Sequence, residues 1–82
     1  MERDMWSNRT SAEIEERLAD VEAADRRIAS TREHIADQEQ RIAQADIEGR
    51  DTAPGWKLRQ LFFLLLATHE QQRAWLVKWL HA

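Results

Sequence analysis

The stretch 14–42 reads IEERLADVEAADRRIASTREHIADQEQRI, with one branched apolar residue at every seventh position. These residues are Ile14, Val21, Ile28, Ile35 and Ile42. An apolar repeat of seven residues is typical of an α-helix that packs along its length against another helix. We therefore expect the fold to be built on one long helix, with this column as its contact seam.

Both ends of this helix are marked in the sequence. Thr10 and Glu13 have the spacing of a capping box, in which the threonine hydroxyl accepts a hydrogen bond from the backbone N–H three residues later. From residue 11 to residue 48 there is no glycine or proline, and the good helix formers Ala, Glu, Arg and Gln dominate. The sequence predicts a first helix over about 11–48.

The heptad also indicates what a partner of this helix must supply. With the isoleucine column at position a, position d holds mostly small or polar residues: Arg17, Ala24, Thr31, Gln38 and Ala45. A self-sufficient two-stranded coiled coil prefers leucine at d, so this seam is only half of one. We expect a neighbouring helix with bulky side chains to fill it.

A second helix follows a short connection. Gly49 stands where a left-handed residue closes a helix, Asp51 or Thr52 can cap the next helix, and Pro54 is tolerated in a first turn. A connection this short joins antiparallel neighbours. The sequence therefore predicts an all-α antiparallel helical hairpin whose second helix covers about 53–80.

We expect one helical-hairpin domain over 10–82. Residues 1–9 are expected to be a leader, which is either flexible or docked through Met5 and Trp6.

The second helix is predicted to carry more apolar surface than the first can cover. Its expected inward face is Leu58, Leu61, Phe62, Leu65, Leu76, Trp79 and Leu80. Flanking residues widen the apolar arc to roughly 200°, about twice what one helix contact needs. With about 28 residues, the second helix is expected to reach along the first only to about residue 22.

A lone hairpin would therefore leave apolar surface exposed, and we expect it to assemble into a four-helix bundle or to dock on a larger protein. The residues expected to make that contact are Trp6, Ile14, Leu18, Val21, Phe63, Leu66, Trp75 and Trp79.

The stretch 32–53, REHIADQEQRIAQADIEGRDTA, carries a family resemblance. Its Ile-Ala pairs at 35–36 and 42–43, the Gly-Arg-Asp-Thr turn at 49–52 and the leucine-rich helix from Leu61 follow a shared pattern. The chain resembles a group of short uncharacterised helical-hairpin proteins common in α-proteobacteria. The resemblance implies a hairpin and a bacterial cytosolic origin, and it implies no activity.

Composition excludes several classes of protein. The net charge of −3 provides no basic excess for binding nucleic acid through phosphates. There is no cysteine, hence no disulfide or thiolate site, which is compatible with a cytoplasmic location. The longest apolar run, 61–67, is far shorter than the roughly 20 residues of a membrane-spanning helix. No nucleophile, phosphate-loop or cofactor motif is present, so neither enzyme activity nor a cofactor is expected.

Three histidines, His34, His69 and His81, raise the question of a metal site. With residue 35 expected opposite residue 69, His34 and His69 have a chance to meet, but neither belongs to the Glu-x-x-His pair used in helical-bundle metal sites. We predict instead a polar layer that fixes register, or else a solvated waist. The predicted layer consists of Thr31, His34, Gln38, His69 and Gln72.

Two functional hypotheses follow. The first is a non-enzymatic protein-interaction or structural module, which self-associates or serves as a small accessory subunit of a larger complex. The alternative is a peripheral membrane protein that inserts the apolar surfaces of 61–66 and 75–79, with Lys57, Arg59 and Lys78 near anionic headgroups. The acidic first helix favours the first hypothesis.

Overall fold

The computed structural model describes residues 9–81, which form two helices, α1 (Ser11–Ile47) and α2 (Ala53–His81). The helices contact each other side by side. Arg73 pairs with Asp25 and Arg59 pairs with Glu39, so α2 runs antiparallel to α1. The predicted all-α hairpin is confirmed, with helix ends within one residue of the prediction. Met5 and Trp6 lie outside the described residues.

Local hydrogen bonds explain where α1 begins and ends. The Thr10 hydroxyl accepts from the Glu13 N–H at 3.1 Å, as the capping box predicts. At the other end Gly49 has φ +69°, and its N–H donates to the Asp46 carbonyl. The Arg50 N–H donates to the Ala45 carbonyl at 2.8 Å. These two bonds form a Schellman motif, which reverses the chain at Gly49.

Polar contacts also order the connection. The Asp51 carboxylate accepts from the Ala53 N–H at 3.0 Å at the start of α2. Glu48 accepts hydrogen bonds from the side chains of Gln44 at 2.8 Å and Arg50 at 2.7 Å. The Gln44 hydrogen bond, and then the hydrogen bond and charge of Arg50, lower the pKa of Glu48 below its ordinary value. These two contacts favour the ionised form of the Glu48 carboxylate.

The contact seam of α1 is the predicted one. Its buried residues alternate in steps of four and three, and each occupies an a or d position of the heptad. They are Ala24, Ile28, Thr31, Ile35, Gln38, Ile42 and Ala45. This spacing keeps one face of a helix turned continuously towards a neighbour.

The inward face of α2 differs from the prediction. It shows the same alternation of three and four, and it consists of Gly55, Arg59, Phe62, Leu66, His69, Arg73, Leu76 and Leu80, all partly buried. Leu58, Leu61 and Leu65, which were predicted to face inward, are exposed. That part of the prediction is wrong.

A close approach at Gly55 and two ion pairs account for this rotation of α2. Near the turn, Gly55 lies so close to Ile42 that a Cβ atom there would be 2.8 Å from its Cγ1 atom. Further along, Arg59 and Arg73 lie beside the seam and reach Glu39 and Asp25. Their guanidinium groups pair with these carboxylates and remain partly exposed.

The register along the helices also differs from the prediction. His34 stacks on Phe62 with ring centroids 5.5 Å apart, so residue 35 lies about two turns away from its expected neighbour, residue 69. The cause is that the chain reverses at Gly49 rather than at Asp51. This shifts α2 away from the turn, towards the end of the hairpin where α1 begins and α2 finishes, which we call the open end. As a result Trp79 reaches Arg17, beyond the predicted limit at residue 22.

Candidate protein-interaction surface

The hairpin is a layer one helix thick, with extents of 67 × 18 × 12 Å. The two helices lie side by side, and residues 9–81 contain no third element that covers either of them. In the described part of the chain all buried residues belong to α1, and α2 contributes none. Any large apolar residue of α2 that does not point at α1 therefore faces solvent.

A second row of residues with steps of three and four runs along α2, about one position away from its inward face. We call this row the outer strip. It consists of Leu58, Leu61, Leu65, Thr68, Gln72, Trp75 and Trp79. Five of the seven are leucine or tryptophan and none is charged. Because the row follows coiled-coil spacing, it stays on one side of α2 for six helical turns.

The outer strip is open to solvent along most of its length. Leu61 is 60% exposed and Trp75 is 64% exposed. Leu64, one turn from Leu61 and also 60% exposed, widens the leucine end of the strip. Taking about 200 Å² for each large side chain, the strip and Leu64 expose on the order of 500 Å² of apolar surface.

A notch opens between the helices beside the tryptophan end of the outer strip. Its volume is about 500 Å³, and it is lined by Asp20, Ala23, Ala24, Arg27, Gln71, Gln72, Trp75 and Leu76. The notch exists because Ala23 and Ala24 are short and leave room below the Trp75 ring. The strip thus has a raised leucine end and a hollow tryptophan end.

Phe63 and Trp56 lie on the opposite side of α2. The Arg59 guanidinium lies 4.6 Å from the Phe63 ring centroid and 5.3 Å from that of Trp56. Arg59 also donates to Glu39 at 3.1 Å. Phe63, a predicted contact residue, therefore belongs to a cation–π cluster rather than to the outer strip.

Apart from Trp6, the remaining predicted contact residues lie at the open end, in the seam or in the outer strip. Ile14 and Leu18 are exposed, while Val21 is partly buried. Leu66 faces α1. Trp75 and Trp79 lie in the outer strip, where Trp79 also lies under the guanidinium groups of Arg9 at 3.9 Å and Arg17 at 5.3 Å. Trp6 is outside the described residues.

The five residues of the predicted polar layer occupy different places. Thr31 and Gln38 are buried in the seam, where they donate to the carbonyls of Arg27 at 2.8 Å and Gly55 at 3.5 Å. His69 faces α1 about 10 Å along α2 from Phe62, the residue on which His34 stacks. The structure therefore does not bring His34 and His69 together. Gln72 is exposed in the outer strip.

His69 carries a buried ring nitrogen, Nδ1, without a hydrogen-bond partner. Such an atom costs about 1–3 kcal/mol. Replacing His69 with leucine removes that cost and places an apolar side chain on the inward face of α2, so His69→Leu is expected to raise the free energy of unfolding by about 1 kcal/mol. Urea unfolding followed by circular dichroism checks this expectation. His81→Leu, at the exposed end of α2, is the matched control, and an equal gain there would contradict the assignment.

Comparison with known proteins gives no match to a family model, a curated protein or a solved structure. Within residues 9–81, neither helix is long and apolar enough to cross a membrane. The same range holds no group of three or more His, Asp or Glu side chains placed to hold a metal ion.

The outer strip as a unit does not follow from the sequence pattern alone. Leu58, Leu61 and Leu65 were assigned to the inward face, and Thr68 was assigned no role. The signal that could have revealed the strip is residue spacing. Two rows with steps of three and four coexist on α2, and only one of them can face α1.

Proposed function

We propose that this chain is a non-enzymatic protein-interaction module that binds through the outer strip of α2. The carrying observation is an uncharged row of five leucine and tryptophan residues at helical spacing, which is interrupted at its centre by Thr68 and Gln72 and is exposed to solvent except at Trp79. Monomeric proteins rarely expose apolar patches larger than a few hundred Å², and patches of this size are often binding sites.

The spacing of the strip favours a helical partner. Steps of three and four present ridges and grooves that fit those of another helix lying along α2. Trp75 places a large aromatic ring beside a hollow. Tryptophan is one of the residue types that most often dominate the binding free energy of an interface. Recognition by the outer strip is therefore a helix-on-helix contact.

The polar surfaces are consistent with a structural role. The carboxylates of α1 form exposed ion pairs with nearby arginines, such as Asp37 with Arg41 at 3.0 Å and Asp20 with Arg17 at 2.9 Å. Pairs of this kind solubilise a helix and contribute about 0–1 kcal/mol each.

A cytoplasmic location is proposed for this module. The absence of cysteine is compatible with a reducing compartment.

Site-specific photo-crosslinking in cells tests the proposed function. A benzophenone side chain at position 61, in the outer strip, is expected to form a covalent adduct with protein. The same group at position 60, one residue away and off the strip, is the matched control. Adducts of defined mass from position 61 and none from position 60 are expected. Equal labelling from both positions, or none from either, would contradict the proposal.

Binding to a membrane surface is the competing outcome. Lys57 and Lys78 border the outer strip and suit anionic headgroups, but Asp20 lies on the same side, at the notch. Vesicles with anionic lipid are therefore expected to leave the protein in the supernatant after sedimentation. Co-sedimentation that Leu61→Lys abolishes and Gln60→Lys preserves would instead assign the strip to a lipid surface.

A further inference from the structure

We infer that the outer strip binds the outer strip of a second copy of this chain, with the two α2 helices antiparallel. This inference rests on the proposed function and names the partner of the same surface. It depends on the shape of the strip, on the position of its polar centre and on the area that it exposes.

The two ends of the strip are complementary in shape. Leu58, Leu61 and Leu65 form a ridge at the end near the turn, and exposed Leu64 thickens it. The notch beside Trp75 forms a hollow of about 500 Å³ at the other end. Two copies related by a two-fold axis across the middle of α2 place each ridge over the other copy's notch.

The polar residues lie at the centre of this arrangement. Thr68 and Gln72 stand between the leucine end and the tryptophan end, and Thr68 is ten residues from Leu58 and eleven from Trp79. An axis near Thr68 places the two Thr68 side chains opposite each other and Gln72 opposite Leu64 and Leu65 of the other copy, while the leucine end of each strip meets the tryptophan end of the other. A central polar position is a common means of fixing register and orientation in helix pairs.

An antiparallel pair also closes on itself. Each copy presents the same surface to the other, so the contact is isologous and ends at a dimer. In a parallel pair the ridges would meet each other and both notches would remain open. The antiparallel pair of hairpins is a four-helix assembly in which both exposed strips are covered.

The exposed area sets the expected strength. About 500 Å² from each copy falls below the roughly 800 Å² per partner of a standard interface. Lys57 of one copy also approaches Lys78 of the other, and this like-charge contact weakens the pair until salt screens it. We therefore expect a dimer with a dissociation constant on the order of micromolar, tighter at higher salt.

Cysteine crosslinking tests the geometry, because the chain has no cysteine of its own. Thr68→Cys is expected to form a disulfide-linked dimer rapidly under mild oxidation, since the two copies of Thr68 face each other. Lys57→Cys alone is not expected to form a disulfide-linked dimer, because its two copies lie about 33 Å apart in the antiparallel pair. A mixture of Lys57→Cys and Lys78→Cys chains is expected to form the mixed dimer. Rapid self-crosslinking of Lys57→Cys would indicate a parallel pair and overturn the inference.

Sedimentation equilibrium on the intact chain provides a measurement that does not depend on the cysteine variants. A monomer–dimer equilibrium is expected, with at least tenfold weaker association for Leu61→Lys and no change for Gln60→Lys. A monomer at every concentration up to several hundred micromolar would overturn the second-copy inference. The proposed function would still hold in that case if position 61 formed a photo-adduct with a different protein. The absence of any adduct would remove it.

Discussion

Ile35→Ala is expected to lower the free energy of unfolding by about 2–4 kcal/mol. Ile35 occupies the middle of the α1 seam and is 6% exposed, so shortening it removes buried apolar surface and leaves a cavity between the helices. A domain of this size has on the order of 5 kcal/mol of stability, so most of it would be lost. Urea unfolding followed by circular dichroism measures the change.

Ile47→Ala is the matched control for this substitution. Ile47 ends α1 and is 79% exposed, so the same atoms are removed without opening a cavity. A change within about 0.5 kcal/mol is expected. Both measurements need the same protein concentration, because association stabilises the folded state by mass action. Similar losses at the two positions would show that the seam is not the core of the hairpin.

Gly55→Leu is expected to destabilise the turn-proximal end of the hairpin by about 1–3 kcal/mol. A Cβ atom at Gly55 would lie 2.8 Å from Ile42 Cγ1 and 3.2 Å from Gln38 Nε2, and a leucine adds three further carbons in that space. The helices must therefore separate locally. The separation also breaks the hydrogen bond from Gln38 to the Gly55 carbonyl.

Thermal and urea unfolding of Gly55→Leu measure this effect, with Ala53→Leu as the control. Ala53 lies in the same first turn of α2 but is exposed, so a leucine there meets solvent. Gly49→Ala separates crowding from backbone strain, since nothing lies within 4 Å of a Cβ atom at Gly49 and only its φ of +69° disfavours alanine. Equal stability of Gly55→Leu and Ala53→Leu would exclude a close helix approach at Gly55.

The buried face of α1 could be predicted from the sequence better than that of α2, because apolar and polar residues are clearly separated only on α1. On α1 the isoleucine column stands out against charged and small residues, so only one face can be the seam. On α2 the apolar arc is roughly 200° wide, and hydrophobicity alone cannot decide which part of it faces α1. Arg59, His69 and Arg73 give the inward face a polar sequence, although Arg59 and Arg73 pair there with Glu39 and Asp25 of α1.

The type of surface could be predicted from the sequence, but its position around α2 could not. An excess of apolar surface on the second helix was expected, and Trp75 and Trp79 were assigned to it. The position of the strip depends on the rotation of α2, which is set by the close approach at Gly55 and by the ion pairs of Arg59 and Arg73. Those contacts join residues distant in sequence, so local patterns do not reveal them.

The reversal of the chain at Gly49 has a consequence for the order of folding. The contact between Gln38 and Gly55 closes a loop of 17 residues, whereas the contact between Arg9 and Trp79 closes one of 70. Closing the longer loop in one step costs about 1 kcal/mol more in chain entropy. The helix–helix contacts are therefore expected to form first at the turn and then to extend towards the open end. Substitutions near Gly55 should slow folding, while substitutions near Leu80 should mainly accelerate unfolding.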